Sequence, residues 1–266
     1  LPKPRDTLLE IAPMADEDLC YMTATEALTR FADRSLSPVE LMQAVIDRAE
    51  MVEGQVNALT YTHFDEALML ARAAEARYMQ GAPAGQLDGL ALAVKDEGAI
   101  KGKPLSNGSL LLEGTIPDYT SPVNQRLLDS GAIVHARTAT PEFSCAGYTW
   151  SRLWGITRNP WNLDFTPGGS SGGAGAALAA GSCTLASGSD IGGSIRIPAS
   201  ASGVVGLKPA YGRVPEEPPY NLDIFCHQGP MARSVGDTAL MFGVMAGPHP
   251  LDIATQRDVP HISRQP

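Results

Sequence analysis

The sequence predicts an α/β fold with a largely parallel central sheet flanked by helices. Three observations carry that expectation. Leu90, Leu92 and Val94 alternate with Ala91 and Ala93 as in a strand, which Lys95 and Asp96 end. Ser121-Pro122 then starts a helix that runs to about Ser130 and is closed by Gly131, and residues 132–138 read as a second strand. A helix between strands at this spacing is the βαβ pattern of a parallel sheet. Further on, a helix at 174–180 and a strand near 183–187 repeat the alternation.

The remaining elements follow from local signals. Residues 1–20 carry two early prolines and little periodicity, and read as an arm. Thr23 opens a short helix through about Arg34. Ser37-Pro38-Val39-Glu40 is a capping box with proline at the first helical position. The helix it starts should turn Leu41, Val45 and Ile46 inward and Arg48 and Glu50 outward. Residues 57–61 predict a short strand, and His63 to Gln80 an Ala-rich helix stopped by Gly81. A last helix spans Ser234 (N-cap) to Ala246, with Gly247 and Pro248 as the stop. There is no internal repeat.

Composition narrows the function class. The chain has 266 residues, 44% of them hydrophobic and 18% charged, which is enough for a sizeable core and excludes disorder over most of its length. A formal net charge of −9 without a basic stripe argues against a nucleic-acid partner. No apolar run reaches the roughly 18 residues of a membrane-spanning helix. The first residue is Leu1 rather than Met, and nothing near it resembles a signal peptide. Cys20, Cys145, Cys183 and Cys226 are scattered without a CxxC pair, as expected of thiols in a reducing, cytoplasmic setting. No metal site and no cofactor are expected.

The chemistry concentrates in a glycine- and serine-rich stretch. Eleven of the 27 glycines fall between Gly168 and Gly206. Gly168-Gly169-Ser170-Ser171-Gly172-Gly173 precedes a helix but lacks the lysine of a P-loop. Asp190-Ile191-Gly192-Gly193-Ser194 follows it, and consecutive glycines before a serine turn several N–H groups toward one spot, as an oxyanion hole beside a nucleophile requires. Serine needs a base. None of the five histidines lies in a glycine-rich turn; His227, read as lying in a loop before Gly229-Pro230, is the one histidine plausibly placed. Lys95 is the stronger candidate, because it emerges at the end of an apolar strand.

These segments, together with Thr138–Pro141, Thr157–Trp161, Gly203–Pro209 and Gly229–Ser234, closely resemble the amidase signature family over roughly residues 20–250. The resemblance implies a mixed, largely parallel sheet flanked by helices. It implies Lys95 as general base, Ser170 as proton bridge following a cis bond from Gly169, and Ser194 as nucleophile. It implies an oxyanion hole from the N–H groups of Ile191, Gly192, Gly193 and Ser194, with Ser171, Asp190 and Arg196 in support. Ser144 lies near the family's substrate channel, and Tyr148, Trp150 and Trp154 add aromatic surface that hints at an aryl substrate. Arg137-Thr138-Ala139 stands where the family often has Lys-Thr-Asn. Members are considerably longer than this chain. An amidase signature domain is thus expected over 21–250, with 251–266 a polar tail and a candidate truncation point before the fold's C-terminal half.

The implied reaction is hydrolysis of amide, ester or carbamate bonds (urethanes included) through a serine acyl-enzyme, by a monomer or homodimer. An unperturbed lysine, at about 10.4, is charged at neutral pH, so desolvation against the strand is expected to favour its neutral form. Two alternatives stand beside this. One is an amidotransferase A-type subunit that releases ammonia from glutamine; the other is a catalytically silent binding protein.

Overall fold

The computed structural model describes residues 17–256. Residues 1–16 of the expected arm and 257–266 of the expected tail lie outside them. The end of the arm is a helical turn, α1 (Glu17–Tyr21), because Cys20 is fully buried and its Sγ reaches Ala44 O at 3.3 Å.

In chain order there follow α2 (Ala24–Asp33), α3 (Pro38–Val56), β1 (Leu59–Thr62), α4 (Phe64–Met79), β2 (Ala91–Lys95), α5 (Pro122–Asp129) and β3 (Ile133–Thr138). A small hairpin, β4 (Trp150–Ser151) and β5 (Gly155–Ile156), leads to α6 (Gly172–Ala180) and β6 (Leu185–Asp190). The described chain closes with α7 (Arg196–Ser202), β7 (Val205–Gly206), β8 (His227–Ala232) and α8 (Val235–Met245). The capping box forms in full: Ser37 accepts from Val39 N, and Glu40 accepts from Ser37 N. Thr23, Ser121 and Ser234 likewise cap α2, α5 and α8 with their hydroxyls.

Six strands form one mixed sheet in the order β1-β3-β2-β6-β8-β7. The three middle strands, β3, β2 and β6, run parallel, and the flanking pairs are antiparallel. From Leu92 to Val94, residues of β2 alternate between two apolar clusters. Leu92 and Val94 join the first half of α3 with α2, α4, α5 and α8. Ala93, with Ala136 and Ala186 from the neighbouring strands, joins the second half of α3 with α6 and α7. This second face is lined by methyl groups, so the Gly- and Ala-rich α6 lies very close to it. A side chain at Gly173 would meet Ala139 N at 2.3 Å. No helix among the described residues is long and apolar enough to cross a membrane.

Arg48 corrects an expectation. It is buried, because its Nε donates to Ala180 O at the end of α6 (2.7 Å), its Nη2 donates to Tyr21 Oη (2.9 Å), and its guanidinium lies 5.6 Å from the Tyr21 ring centre. A long polar side chain on the inner side of α3 thus satisfies a carbonyl that its helix leaves open. His227 is likewise the first residue of β8 and not part of a loop. It is 3% exposed, and its Nε2 lies 3.2 Å from Ile224 O.

Candidate active site

Lys95 ends β2 at the centre of the sheet, on the edge where the parallel strands finish. It is 2% exposed. Its Nζ donates to Ser170 Oγ at 2.7 Å and to Ser189 Oγ at 2.9 Å, and lies 3.1 Å from Glu97 Oε2. Ser170 and Ser171 stand at the start of α6, whose closeness to the sheet brings them over the end of β2. The Gly169–Ser170 peptide bond is cis. Gly169 has no room for a side chain, since one would meet the Tyr148 backbone at 2.7 Å.

The turn carrying Ser194 is organised by Asp190, the buried last residue of β6. Asp190 Oδ1 accepts from Gly193 N (2.7 Å), and Oδ2 accepts from Ile195 N (3.1 Å) and Arg196 N (3.2 Å). Arg196 adds a bidentate grip through Nε and Nη2, both at 2.9 Å. Burial alone would raise this carboxyl, but the Arg196 guanidinium and the three N–H groups hold it down at about 2. Ser171 N donates to Ser194 O at 3.1 Å, which ties the two serine segments together. Ser171 Oγ lies between Ser189 O and Ser189 N.

One N–H group of the expected oxyanion set is already engaged. Gly193 N–H is spent on Asp190, whereas the N–H groups of Ile191, Gly192 and Ser194 donate to no acceptor among the described residues. Ser170, Ser194, Ile191 and Gly192 all line one cavity of about 550 Å³. That size suits a small organic molecule.

Ser144 also lines this cavity, but its hydroxyl is engaged. It donates to Glu97, pairs with Thr140 Oγ1 at 2.9 Å and lies 3.3 Å from Asn107 Oδ1. Ser144 and its neighbour Phe143 both have left-handed backbone (φ 55° and 51°), an uncommon conformation for side-chain-bearing residues that aims this turn at the cavity. Tyr148 does not line the cavity. Trp154 is packed edge-on to Tyr61 and donates to Ser106 Oγ at 2.9 Å. The aromatic lining comes from Phe143 and Tyr220, which the sequence reading did not select.

Glu97 was also missed. It lies within a chain reversal in which Glu97 N and Gly98 N both donate to Lys95 O (2.7 and 3.1 Å), and this turns the carboxylate back onto the lysine. Desolvation opposes its ionisation, but the Lys95 charge and hydrogen bonds from Ser144, Ser189 and Lys95 hold the carboxyl below the ordinary glutamate range. Glu216, which also lines the cavity, has no cation partner among the described residues. Burial pushes it up to about 8, even though Gln228 N and Nε2 donate to it at 2.6 and 3.0 Å. Arg137 is buried below the loop after Glu97 and donates to Gly98 O (2.7 Å) and Pro104 O (3.2 Å), so it fixes that loop's path.

No histidine among the described residues lines the cavity. His135 is fully buried between Leu92 O and Ser182 O, and burial depresses both it and His227. No group of three or more His, Cys, Asp or Glu side chains among the described residues is arranged to hold a metal ion.

Comparison with known proteins places this arrangement. The Amidase family model matches residues 40–265. The A subunit of glutamyl-tRNA(Gln) amidotransferase from Acidothermus cellulolyticus is 42% identical over 247 residues, which is 91% of this chain and 48% of that protein. Its counterpart from Moorella thermoacetica is 41% identical over 247 residues, 91% and 50% of the two chains. Among solved structures, a bacterial aryl acylamidase of the amidase signature family aligns with a TM-score of 0.86 at 34% identity, covering 91% of this chain and 51% of that one. Fatty acid amide hydrolase aligns with a TM-score of 0.82 at 30% identity, covering 87% and 42%. The chain therefore spans about half the length of the relatives it matches. In sequence and in fold, this chain belongs to the amidase signature family of C–N bond hydrolases.

Proposed function

We propose that the protein cleaves an amide C–N bond through an acyl-enzyme on Ser194, with Ser170 as proton bridge and Lys95 as base. The observation that carries this reading is the 2.7 Å contact from Lys95 Nζ to Ser170 Oγ at the wall of the cavity that Ser194 also lines. Lys95 in its neutral form accepts the Ser170 proton as Ser170 takes that of Ser194. Ser194 Oγ then bonds to the substrate carbonyl carbon, and the carbonyl electron pair moves to oxygen. The unspent N–H groups of Ile191, Gly192 and Ser194 receive that oxyanion. The proton returns through Ser170 to the leaving nitrogen as the C–N bond breaks. Water attacks the acyl-enzyme by the same relay in reverse. Asp190 and Arg196 hold the nucleophile turn, and Ser171 joins it to Ser170.

The substrate is a small molecule, and esters or carbamates suit the same chemistry. Phe143, Tyr220, Ile191 and Ile197 give the cavity lining apolar surface that fits an aryl or other apolar group. A cytoplasmic location accords with cysteines that form no disulfide among the described residues. The test is a fluorophosphonate probe followed by a panel of aryl amides, esters and carbamates. Labelling elsewhere than Ser194, or none at all, would overturn the reading.

A second reading has a specific observation in its favour. The relatives at 41–42% identity are named as amidotransferase A subunits. On that reading the same acyl-enzyme forms from glutamine, the ammonia passes to an acceptor, and the protein works beside a second protein. Against it, no Arg or Lys is among the described residues lining the cavity to meet the carboxylate of glutamine. Glutaminase activity that rises when the companion proteins are added, with aryl amides left uncut, would establish the second reading over the first.

A further inference from the structure

Glu97 is unusual among the cavity carboxylates in touching Lys95. Its Oε2 lies 3.1 Å from Nζ, it accepts from Ser144, and it lines the cavity wall. Glu217, Asp223 and Cys145 share its cavity, and the titratable groups on other segments that feel its charge are Glu216, Tyr220 and Cys226. Burial raises all three, Glu216 to about 8 and Cys226 to about 12, so at neutral pH they face Glu97 largely uncharged. Asp96, next in the chain, points away and accepts from Ser106 N and Oγ. One anion therefore sits against one lysine, and the reversal at Lys95 O holds the two in register.

We propose that Glu97 is a positioning residue for the Lys95 base, fixing Nζ toward Ser170 and holding the ammonium that forms as the Ser194 proton arrives. This rests on the Ser194–Ser170–Lys95 reading above. The balance is simple. Lys95 gains the proton, Ser194 oxygen gains its bond to carbon, and the new positive charge forms 3.1 Å from a carboxylate already in place. The arrangement does for lysine what a buried aspartate does for histidine in the Ser-His-Asp triad. It has a second effect. A carboxylate beside an amine favours the amine's protonated form, so removing Glu97 should lower the pH at which activity begins to rise.

The experiment is the pH dependence of the second-order rate at which a fluorophosphonate labels Ser194, measured in the wild type, Glu97→Gln and Glu97→Asp. Repeating it in a Glu216→Gln background removes the cavity carboxyl that burial pushes up to about 8. In Glu97→Gln the alkaline rise should begin about one pH unit lower, and the plateau should fall about 10–100-fold. Glu97→Asp should recover part of the plateau. If Glu97→Gln does not fold, Ser144→Ala serves instead. Removing the hydroxyl that donates to Glu97 concentrates the carboxylate charge on Lys95, so the rise should begin at higher pH. A wild-type profile in Glu97→Gln overturns the assignment, as does a uniform loss with no shift, or, in the substitute, no upward shift in Ser144→Ala. If the wild type is not labelled at Ser194, the hydrolase reading fails and takes this role with it. If labelling is normal and Glu97→Gln is indistinguishable from wild type, only the role of Glu97 fails.

Discussion

Arg196 closes the nucleophile turn from the outside, with Nε and Nη2 each 2.9 Å from a carboxylate oxygen of Asp190, while three backbone N–H groups close it from within. The two partners differ in exposure. The Asp190 side chain is fully buried and that of Arg196 is 56% exposed. Their replacements should therefore differ in cost. Asp190→Ala strands three N–H groups in a buried turn and should destabilise by about 2–4 kcal/mol. Arg196→Ala removes an exposed, solvent-screened partner and should cost clearly less than Asp190→Ala. The Asp190 contribution has a definite sign with pH. Folding holds the carboxyl at about 2, below its ordinary 3.8, so the stabilisation is complete above that ordinary value and is lost as pH falls through about 2. Acid titration of the two variants, followed by circular dichroism, checks both points.

Ser194→Ala should leave the thermal midpoint within a few degrees of wild type and remove turnover by at least about 10³-fold. Near-normal hydrolysis by this variant would end the acyl-enzyme mechanism.

Lys95→Ala should remove most activity at pH 7–8, and the wild-type rate should climb toward alkaline pH, as a lysine base requires. A bell centred near pH 5 would instead point to a carboxylate base. His227 is not a substitute, because it is buried in β8 away from the cavity lining.

Two buried acids should make the fold lose stability as pH rises. Glu216 is pushed up to about 8 and Glu53, under the turn into β1, to about 7, both from an ordinary 4.5. A raised carboxyl binds more protons in the folded state. Its contribution is full below the ordinary value, declines between the two values, and becomes a constant penalty above the folded one. The loss is on the order of a few kcal/mol for each group. Thermal midpoints between pH 4.5 and 9 should fall in the wild type and fall less in Glu53→Gln and Glu216→Gln.

Arg48→Met keeps the length of the side chain but leaves Ala180 O without its donor and Tyr21 Oη without its partner. A loss of about 1–3 kcal/mol by urea unfolding is expected, with the fold retained.

What the sequence disclosed follows from how local each signal is. The capping box at Ser37 and the hydroxyl caps at Thr23, Ser121 and Ser234 act within three residues, so the helix starts could be read directly. Lys95, Ser170 and Ser194 carried a family resemblance, and two of the three meet by hydrogen bond. β8 was hidden because His227–Ala232 contains Gly229-Pro230, which reads as a turn, and only its pairing with β6 and β7 makes it a strand. α7 was hidden because Pro198 and two serines mask it, although proline is tolerated in a first turn whose N–H groups have no helical acceptor. Glu97 was hidden because it lies beyond the end of β2, where strand alternation no longer says which way a side chain points. Its meeting with Lys95 depends on the chain reversing there. Arg48 was placed outward by charge alone, while the carbonyl it satisfies lies 132 residues away in sequence.

The methyl-lined face of the sheet sets a manufacturing tolerance. Ala93, Ala136 and Ala186 act as a thin gasket between α6 and the strands, and the hydroxyl of Ser170 rides on that helix while the amine of Lys95 rides on the sheet. Any thicker residue there lifts one reactant off the other without touching either. An engineer who wants a different substrate can therefore change lining residues such as Tyr220, but should leave the gasket as it is.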